Sequence, residues 1–260
     1  MRVAEMIAAV RASSVAELTW VGPDPMPSVL GVVALVRGDR PAIAFTYAHE
    51  SLARQIARAP SVALSFTERR STGSAFRPVL VHGRPSLLED PTGAVFTDEM
   101  LDEELRRYPP ARVYADSPLL RREHWWYLPR LILEIDVETV SPLPPRDSSR
   151  DHLLAVVGTD RVDVRTARVD DPSSTSHRLT LQVSGDLPPS GRAVLFGQDV
   201  SLPDMEVWSQ WSFEGSWDGV GIDISRAPER VGLGRTPSVW QRWRRQRELE
   251  RRCQRALSAG

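Results

Sequence analysis

The chain has 260 residues, of which 41% are hydrophobic and 26% charged, with a net charge of -1. That balance suits a globular protein of one or two domains, excludes a largely disordered chain, and gives no global pull toward nucleic acid. All 33 basic residues are arginine, so Schiff-base chemistry on a lysine amine is impossible and lysine-linked pyridoxal phosphate enzymes drop out.

Asparagine is missing as well as lysine, a bias expected of a G+C-rich bacterial genome. The single cysteine, Cys253, allows neither an internal disulfide nor a Cys-x-x-Cys site, which fits a reducing compartment. No run reaches the roughly 18 to 20 apolar residues that cross a bilayer, and the residues from Met1 to Arg11 show no uninterrupted apolar core followed by a small-residue cleavage pattern. A cytoplasmic location is expected.

Residues 1–11 read as a short amphipathic helix interrupted by Glu5 and Arg11. Ala16 to Pro27 opens a β run, followed by the nearly continuous aliphatic stretch Val29 to Val36 and, after the turn chemistry of Arg37-Gly-Asp-Arg-Pro, by Ala42 to Tyr47. Leu52, Ile56 and Ala59 then recur at helical spacing between Ser51, a capping residue, and Pro60. Alternation returns through Val62, Leu64 and Phe66, and again in Val79 to Asp90. Residues 91–124 read as an insertion with a helix over Asp98 to Tyr108, and Trp125 to Val137 as the closing strand. Three prolines within Pro142 to Pro145 mark residues 141–150 as a linker.

Beyond it, His152 to Gly158, Val162 to Val169, Arg178 to Val183, Arg192 to Phe196, Glu206 to Phe213 and Gly221 to Ser225 give six strand candidates in the order of the first half. Val220-Gly-Ile-Asp-Ile-Ser parallels Leu133-Glu-Ile-Asp-Val-Glu, and the loop Gly185 to Gly191 stands where the first half has its Ser51 helix. Pro237 to Leu257 is an arginine-rich helix with Val239, Trp243, Leu249 and Cys253 along one stripe. It reads as packed on the β body rather than as a nucleic-acid or acidic-lipid contact.

The order of strands, helix and strands over residues 14–140, carried by the segments quoted above, resembles the flavin-binding split-barrel family of pyridoxamine 5'-phosphate oxidase. The resemblance implies a mainly β (α+β) fold: a split β-barrel at 1–145, a degenerate second barrel-like half at 146–234 and a basic C-terminal helix at 235–260. Barrels of that family pair to hold flavin in the cleft between them, so this chain implies either a homodimer or an internal pseudo-dimer. The implied cofactor is flavin mononucleotide, with deazaflavin as its relative, and the implied activity is an oxidoreductase acting on a small molecule.

Family phosphate contacts fall on Phe45 and Thr46 and then on Ser51 and Leu52, the last of which donates nothing. Arg54 and Arg58 are the substitutes on the same helix. The position that meets the flavin ring falls on Pro78, which has no amide hydrogen. Trp125, in His124-Trp125, corresponds to a tryptophan beside the flavin, with hydrophobic packing as the alternative. Trp208, Trp211 and Trp217 read as core or interface, with an aromatic floor for a planar ligand as the alternative. Some relatives bind haem, which keeps His49, His82 and His124 as candidate ligands. No nucleophile elbow, lysine-bearing phosphate loop or His-Glu-x-x-His stands elsewhere. The alternative to the enzyme is a non-catalytic member whose cleft has lost flavin and holds another ligand or a partner.

Overall fold

A computed structural model describes residues 2–68, 72, 76–112, 125–158, 162–170, 172 and 175–259. The first half comprises helix α1 (Arg2–Ala12) and strands β1 (Ala16–Val21), β2 (Pro27–Val32), β3 (Leu35–Arg37) and β4 (Arg40–Thr46). A 3-10 turn (Tyr47–His49) leads into α2 (Glu50–Ala57), then β5 (Val62–Phe66) and β6 (Val79–Asp90). Two short helices, α3 (Ala94–Glu99) and α4 (Leu101–Arg107), precede β7 (Arg130–Pro142).

The seven strands form one antiparallel sheet in the order β2-β1-β5-β6-β7-β4-β3. Its two edges belong to one stretch of chain, since residues 27–32 pair with β1 and residues 35–37 with β4. The sheet therefore curls onto itself and leaves no long free edge. Alternate residues from every strand, among them Leu18, Phe45, Leu64, Val81 and Leu133, fill the interior. Met6 and Val10 of α1 and Ile56 of α2 are buried against the same core, which is why these amphipathic segments are helices here.

Several sequence expectations shift: the stretch Val29 to Val36 is divided between β2 and β3 at opposite edges of the sheet, and the closing strand expected from Trp125 begins at Arg130. The helix expected over 51–59 begins at Glu50 behind the 3-10 turn, with His49 at its N-cap and Ser51 exposed inside the first turn. Burial of Tyr47 and Ala48, not a serine cap, sets its start. The single helix expected over 98–108 is two pieces separated at Met100, and the Asp90 carboxylate accepts from the Phe96 amide at 2.8 Å in the first of them. The linker is docked rather than free: the Leu143 and Arg146 amides donate to the carbonyls of Pro78 and Thr67.

The second half contains β8 (Asp151–Val157), β9 (Val162–Arg168), β10 (Arg178–Thr180), β11 (Gln182–Val183), β12 (Gly191–Val200), β13 (Trp208–Trp217) and β14 (Gly221–Arg226). Their order is β10-β14-β13-β12-β8-β9-β11. With β8, β9, β12, β13 and β14 standing for β1, β2, β5, β6 and β7, and β10 for β4, the order of six strands recurs, while the seventh, β3 beside β4 in the first sheet and β11 beside β9 in the second, sits at opposite edges. Here too one stretch supplies both edges, pairing through β10 with β14 and through β11 with β9. No helix follows β11; residues 184–190 form the expected loop.

The correspondence extends to register. The β6–β7 ladder shifts between His82 and Gly83, and the β13–β14 ladder between Glu214 and Gly215. A Cβ on Gly83 would strike the Asp136 carbonyl, and one on Gly215 the Asp223 carbonyl. Arg40 pairs with Asp136 as Arg178 pairs with Asp223.

Between the halves, Ala63 and Leu80 of the first sheet pack with Leu153, Ala155, Val194 and Phe196 of the second. The Gln210 side-chain amide closes the joint: it receives the Gly31 amide at 3.0 Å and donates to the Gly31 carbonyl at 3.2 Å. A final helix, α5 (Val239–Ala259), starts in a reciprocal cap between Ser238 and Gln241. Its second half returns to the first barrel, burying Cys253 and packing Leu249, Ala256 and Leu257.

Candidate functional site

A cleft of about 340 Å³ opens where the halves meet. Its walls come from β2 (Leu30 to Val32), the end of β4 (Ile43 to Thr46), His49, Leu52, the α4 side (Glu104, Tyr108), Tyr127 and Arg130, with Trp208 of the second half and Leu249 of α5. The volume lies in the range of small-molecule sites, and the mostly apolar walls with a few convergent polar groups match their usual make-up.

Trp208 donates to Gln198 Oε1 at 2.9 Å and meets Tyr108 at a centroid distance of 6.4 Å, so an aromatic pair spans the joint. Trp211 and Trp217 are buried, their indole groups donating to His152 Nε2 and the Pro188 carbonyl. Of the three second-half tryptophans only Trp208 faces the cleft. On the opposite wall the Arg130 guanidinium lies 3.9 Å from the Phe96 ring centre and 4.0 Å from that of Tyr127. Its charge is balanced by Glu104, which also accepts the Tyr127 hydroxyl.

Phe45, Thr46, His49 and Leu52 thus come together, whereas Ser51, Arg54 and Trp125 are outside the walls. Trp125 is 44% exposed, and His124 lies outside the described residues. His82 is buried between the halves with Nε2 at 3.3 Å from the Val162 carbonyl, away from the cleft. Pro78 contributes its carbonyl to Leu143.

Whether these residues fit a flavin phosphate turns on donors, since a dianion needs several charge-assisted hydrogen bonds. Thr46 Oγ1 lies 3.2 Å from His49 Nδ1, and Cys253 of α5 is buried in the same cluster as Ala48. Arg54 is held by Glu50 at 2.9 Å and Glu89 at 2.6 Å. The Glu89 bond, then the Glu50 bond, raise its pKa further above the ordinary arginine value. Two carboxylates around one guanidinium leave that corner negative. The Arg252 guanidinium of α5, outside the cleft walls, donates to the Ala48 carbonyl at 2.7 Å. Burial, and then Arg252, push the His49 pKa below its usual value, so the ring is neutral and adds no charge. The residues present do not fit a phosphate.

Sequence reasoning missed Glu104, Tyr108, Tyr127, Arg130 and the two α5 residues, Leu249 and Cys253. Only the apolar stripe on α5 signalled that the helix would cover something. Among the described residues no group of three metal-binding side chains stands together, and no helix is long and apolar enough to cross a membrane.

No protein-family model matches the sequence, and no curated protein matches it. Solved structures give likenesses to split-barrel proteins at low identity. The Agrobacterium tumefaciens protein Atu2129 is 17% identical over 54% of this chain and 55% of its own, with a TM-score of 0.37. An F420 reductase is 22% identical over 51% of this chain and 94% of its own, with a TM-score of 0.36. The haem storage protein HutZ of Vibrio cholerae is 12% identical over 55% of this chain and 95% of its own, with a TM-score of 0.37.

Proposed function

We propose that this chain is a non-catalytic ligand-binding protein of split-barrel form. In this reading it is an internal pseudo-dimer of barrels 1–145 and 146–234, with the second half of α5, in the segment 235–260, packed against a cleft between them, and it works in the cytoplasm. The ligand is a small, flat, largely apolar molecule without a phosphate. The observation that carries this reading is that the arginines near the strand end are used by the chain itself: Arg54 is held by Glu50 and Glu89, and Arg252 of α5 donates to the Ala48 carbonyl. The aromatic pair Tyr108 and Trp208 supplies a wall for a flat ligand.

The test compares flavin mononucleotide with riboflavin, which differ only in the phosphate. Each is titrated into the purified protein, followed by desalting and a visible spectrum. The expected result is equal affinity within about threefold, since no charged hydrogen bond, each otherwise contributing about 1.5 to 3 kcal/mol, meets the phosphate. Flavin mononucleotide held tenfold tighter than riboflavin and retained through desalting would overturn the reading and restore a flavin- or deazaflavin-dependent oxidoreductase.

One observation favours haem as a second reading: His49 lines the cleft as a neutral imidazole with Nδ1 beside Thr46. Added haemin would then give a Soret band that disappears in His49→Ala. A band unchanged in that variant removes haem ligation by His49.

A further inference from the structure

The sequence stripe Val239, Trp243, Leu249, Cys253 reads as one buried seam, yet only its second half is buried. Val239 is 78% exposed, Trp240 77% and Trp243 51%, and every residue from Val239 to Arg245 is exposed around the whole circumference of α5. The first two turns stand off the body as an arm, tethered by Arg242 to Glu206 at 2.9 Å. Exposed tryptophans on this scale mark an interaction surface more often than a solvated face.

At about 100° per residue, Val239, Trp243 and Trp240 fall within one sector of roughly 100°. The two indoles meet edge to face at 5.8 Å, and Arg247 stacks on Trp243 at 5.6 Å. Arg244 on one side and Arg245 on the other flank this apolar edge, with Arg242 beside Arg245 but paired with Glu206, and residues 238–247 contain no acidic side chain. The arm is an apolar edge between two cationic flanks.

We infer that this arm docks on an anionic phospholipid surface, lying in the headgroup region with Val239, Trp240 and Trp243 inward and its arginines on lipid phosphates. Charge complementarity selects an acidic partner. A helix exposed on all sides needs a surface rather than a groove, tryptophan settles at the membrane–water boundary, and arginine flanks reach back to the headgroups. Val239 favours lipid over nucleic acid, because an aliphatic side chain buries more apolar surface among acyl chains than against the bases and phosphates of a nucleic acid. Another α5 arm is a poor partner, since like charges would face each other. The contact is with the surface and crosses no bilayer.

The full chain is tested by sedimentation with vesicles of phosphatidylcholine alone and with about one third phosphatidylserine. Expected are at least tenfold stronger partitioning onto the anionic vesicles, a blue shift of tryptophan emission on binding, and weakening by salt. The double variant Trp240→Ala, Trp243→Ala should lose binding at least tenfold while keeping the wild-type melting temperature, because both side chains lie outside the core. No preference for anionic vesicles overturns the proposal, as does undiminished binding by the double variant. So does a concentration-dependent dimer that the double variant abolishes, or tighter binding to a single-stranded oligonucleotide than to the vesicles.

Discussion

The guanidinium of Arg252, near the end of the C-terminal helix, donates to the carbonyl of Ala48, two residues beyond the end of β4, at 2.7 Å. The two residues are 204 positions apart in the sequence, and their contact seats α5 beside the end of β4, with Cys253 buried in the same cluster as Ala48. Burial pushes the Cys253 thiol up, more than the Ala48 and Thr46 bonds pull it down. At neutral pH it is therefore a buried, protonated thiol, and only the thiolate is nucleophilic.

Labelling of the chain's one cysteine should consequently report the opening of α5. A thiol reagent is expected to modify native Cys253 at least about 100-fold more slowly than in the denatured chain, the protection given by an opening free energy near 2.7 kcal/mol. Leu249→Ala, which removes a packing contact of the same helix, should speed labelling while leaving the denatured rate unchanged. Native labelling at the denatured rate would mean that α5 is not seated beside the end of β4.

His152 gives the molecule an acid-sensitive point. Trp211 Nε1, which can only donate, faces His152 Nε2 at 3.3 Å, and the Arg150 carbonyl, which can only accept, lies 3.0 Å from Nδ1. Both contacts are satisfied by the neutral ring with its proton on Nδ1. Burial lowers the pKa to about 4 from the ordinary 6.5. The unfolded chain then binds the extra proton across that interval, so this group's stabilising contribution is complete above pH 6.5 and is lost as pH falls toward 4. The loss is about 3 kcal/mol at 1.36 kcal/mol per unit. Urea denaturation of wild type and His152→Gln from pH 7 to pH 4 should show a steeper decline for the wild type, and parallel declines would sink the assignment.

Much of the fold was legible because it repeats simple signals. Val79 to Asp90 is a strand at the expected bounds, and Ile222-Asp223 in β14 stands where Ile135-Asp136 stands in β7, as the sequence parallel suggested. The docked linker was not legible: prolines 142, 144 and 145 indicate stiffness, but the acceptors for the Leu143 and Arg146 amides lie on Pro78 and Thr67, far along the chain. The site was half legible for the same reason. Phe45 and Thr46 follow from strand order, whereas the packing of Leu249 and Cys253 beside the end of β4 is a contact between distant segments that periodicity does not encode. Arg54 is expected to meet a phosphate; its partner Glu50 stands four residues earlier on the same helix, whereas Glu89 belongs to β6, which local spacing does not bring near.

Arg146 shows what the docked linker contributes. Its guanidinium donates to Glu17 and, through Nε, to Thr67 Oγ1 at 2.8 Å, while Gln198 of the second half donates to the same carboxylate at 2.6 Å. Glu17 is fully buried, and desolvation raises its pKa more than Arg146, the largest opposing influence, lowers it. Removing one partner from such a pair leaves a buried charge uncompensated. Arg146→Met should destabilise the chain by about 3 to 5 kcal/mol at pH 7. The double variant Arg146→Met, Glu17→Gln should recover part of that loss, because a neutral amide costs less to bury. Equal losses in the single and double variants would show that the pair is uncoupled.

Gly83 and Gly215 allow the two halves to be compared through one substitution. Each follows the register shift in its hairpin, and at each an added Cβ would meet a backbone carbonyl, of Asp136 or Asp223, together with the Cγ2 of Ile135 or Ile222. A flexible side chain can turn aside from a new methyl group, but a carbonyl in a paired strand moves only with its ladder, so overpacking here should cost about 1 to 3 kcal/mol. If the bulge is one structural device used twice, Gly83→Ala and Gly215→Ala should destabilise by similar amounts in urea denaturation. Their effects should add in the double variant within about 0.5 kcal/mol, as for separate sites with no shared partners. A large loss from one alanine and none from the other would show that the halves share a strand order without sharing the packing that the order imposes.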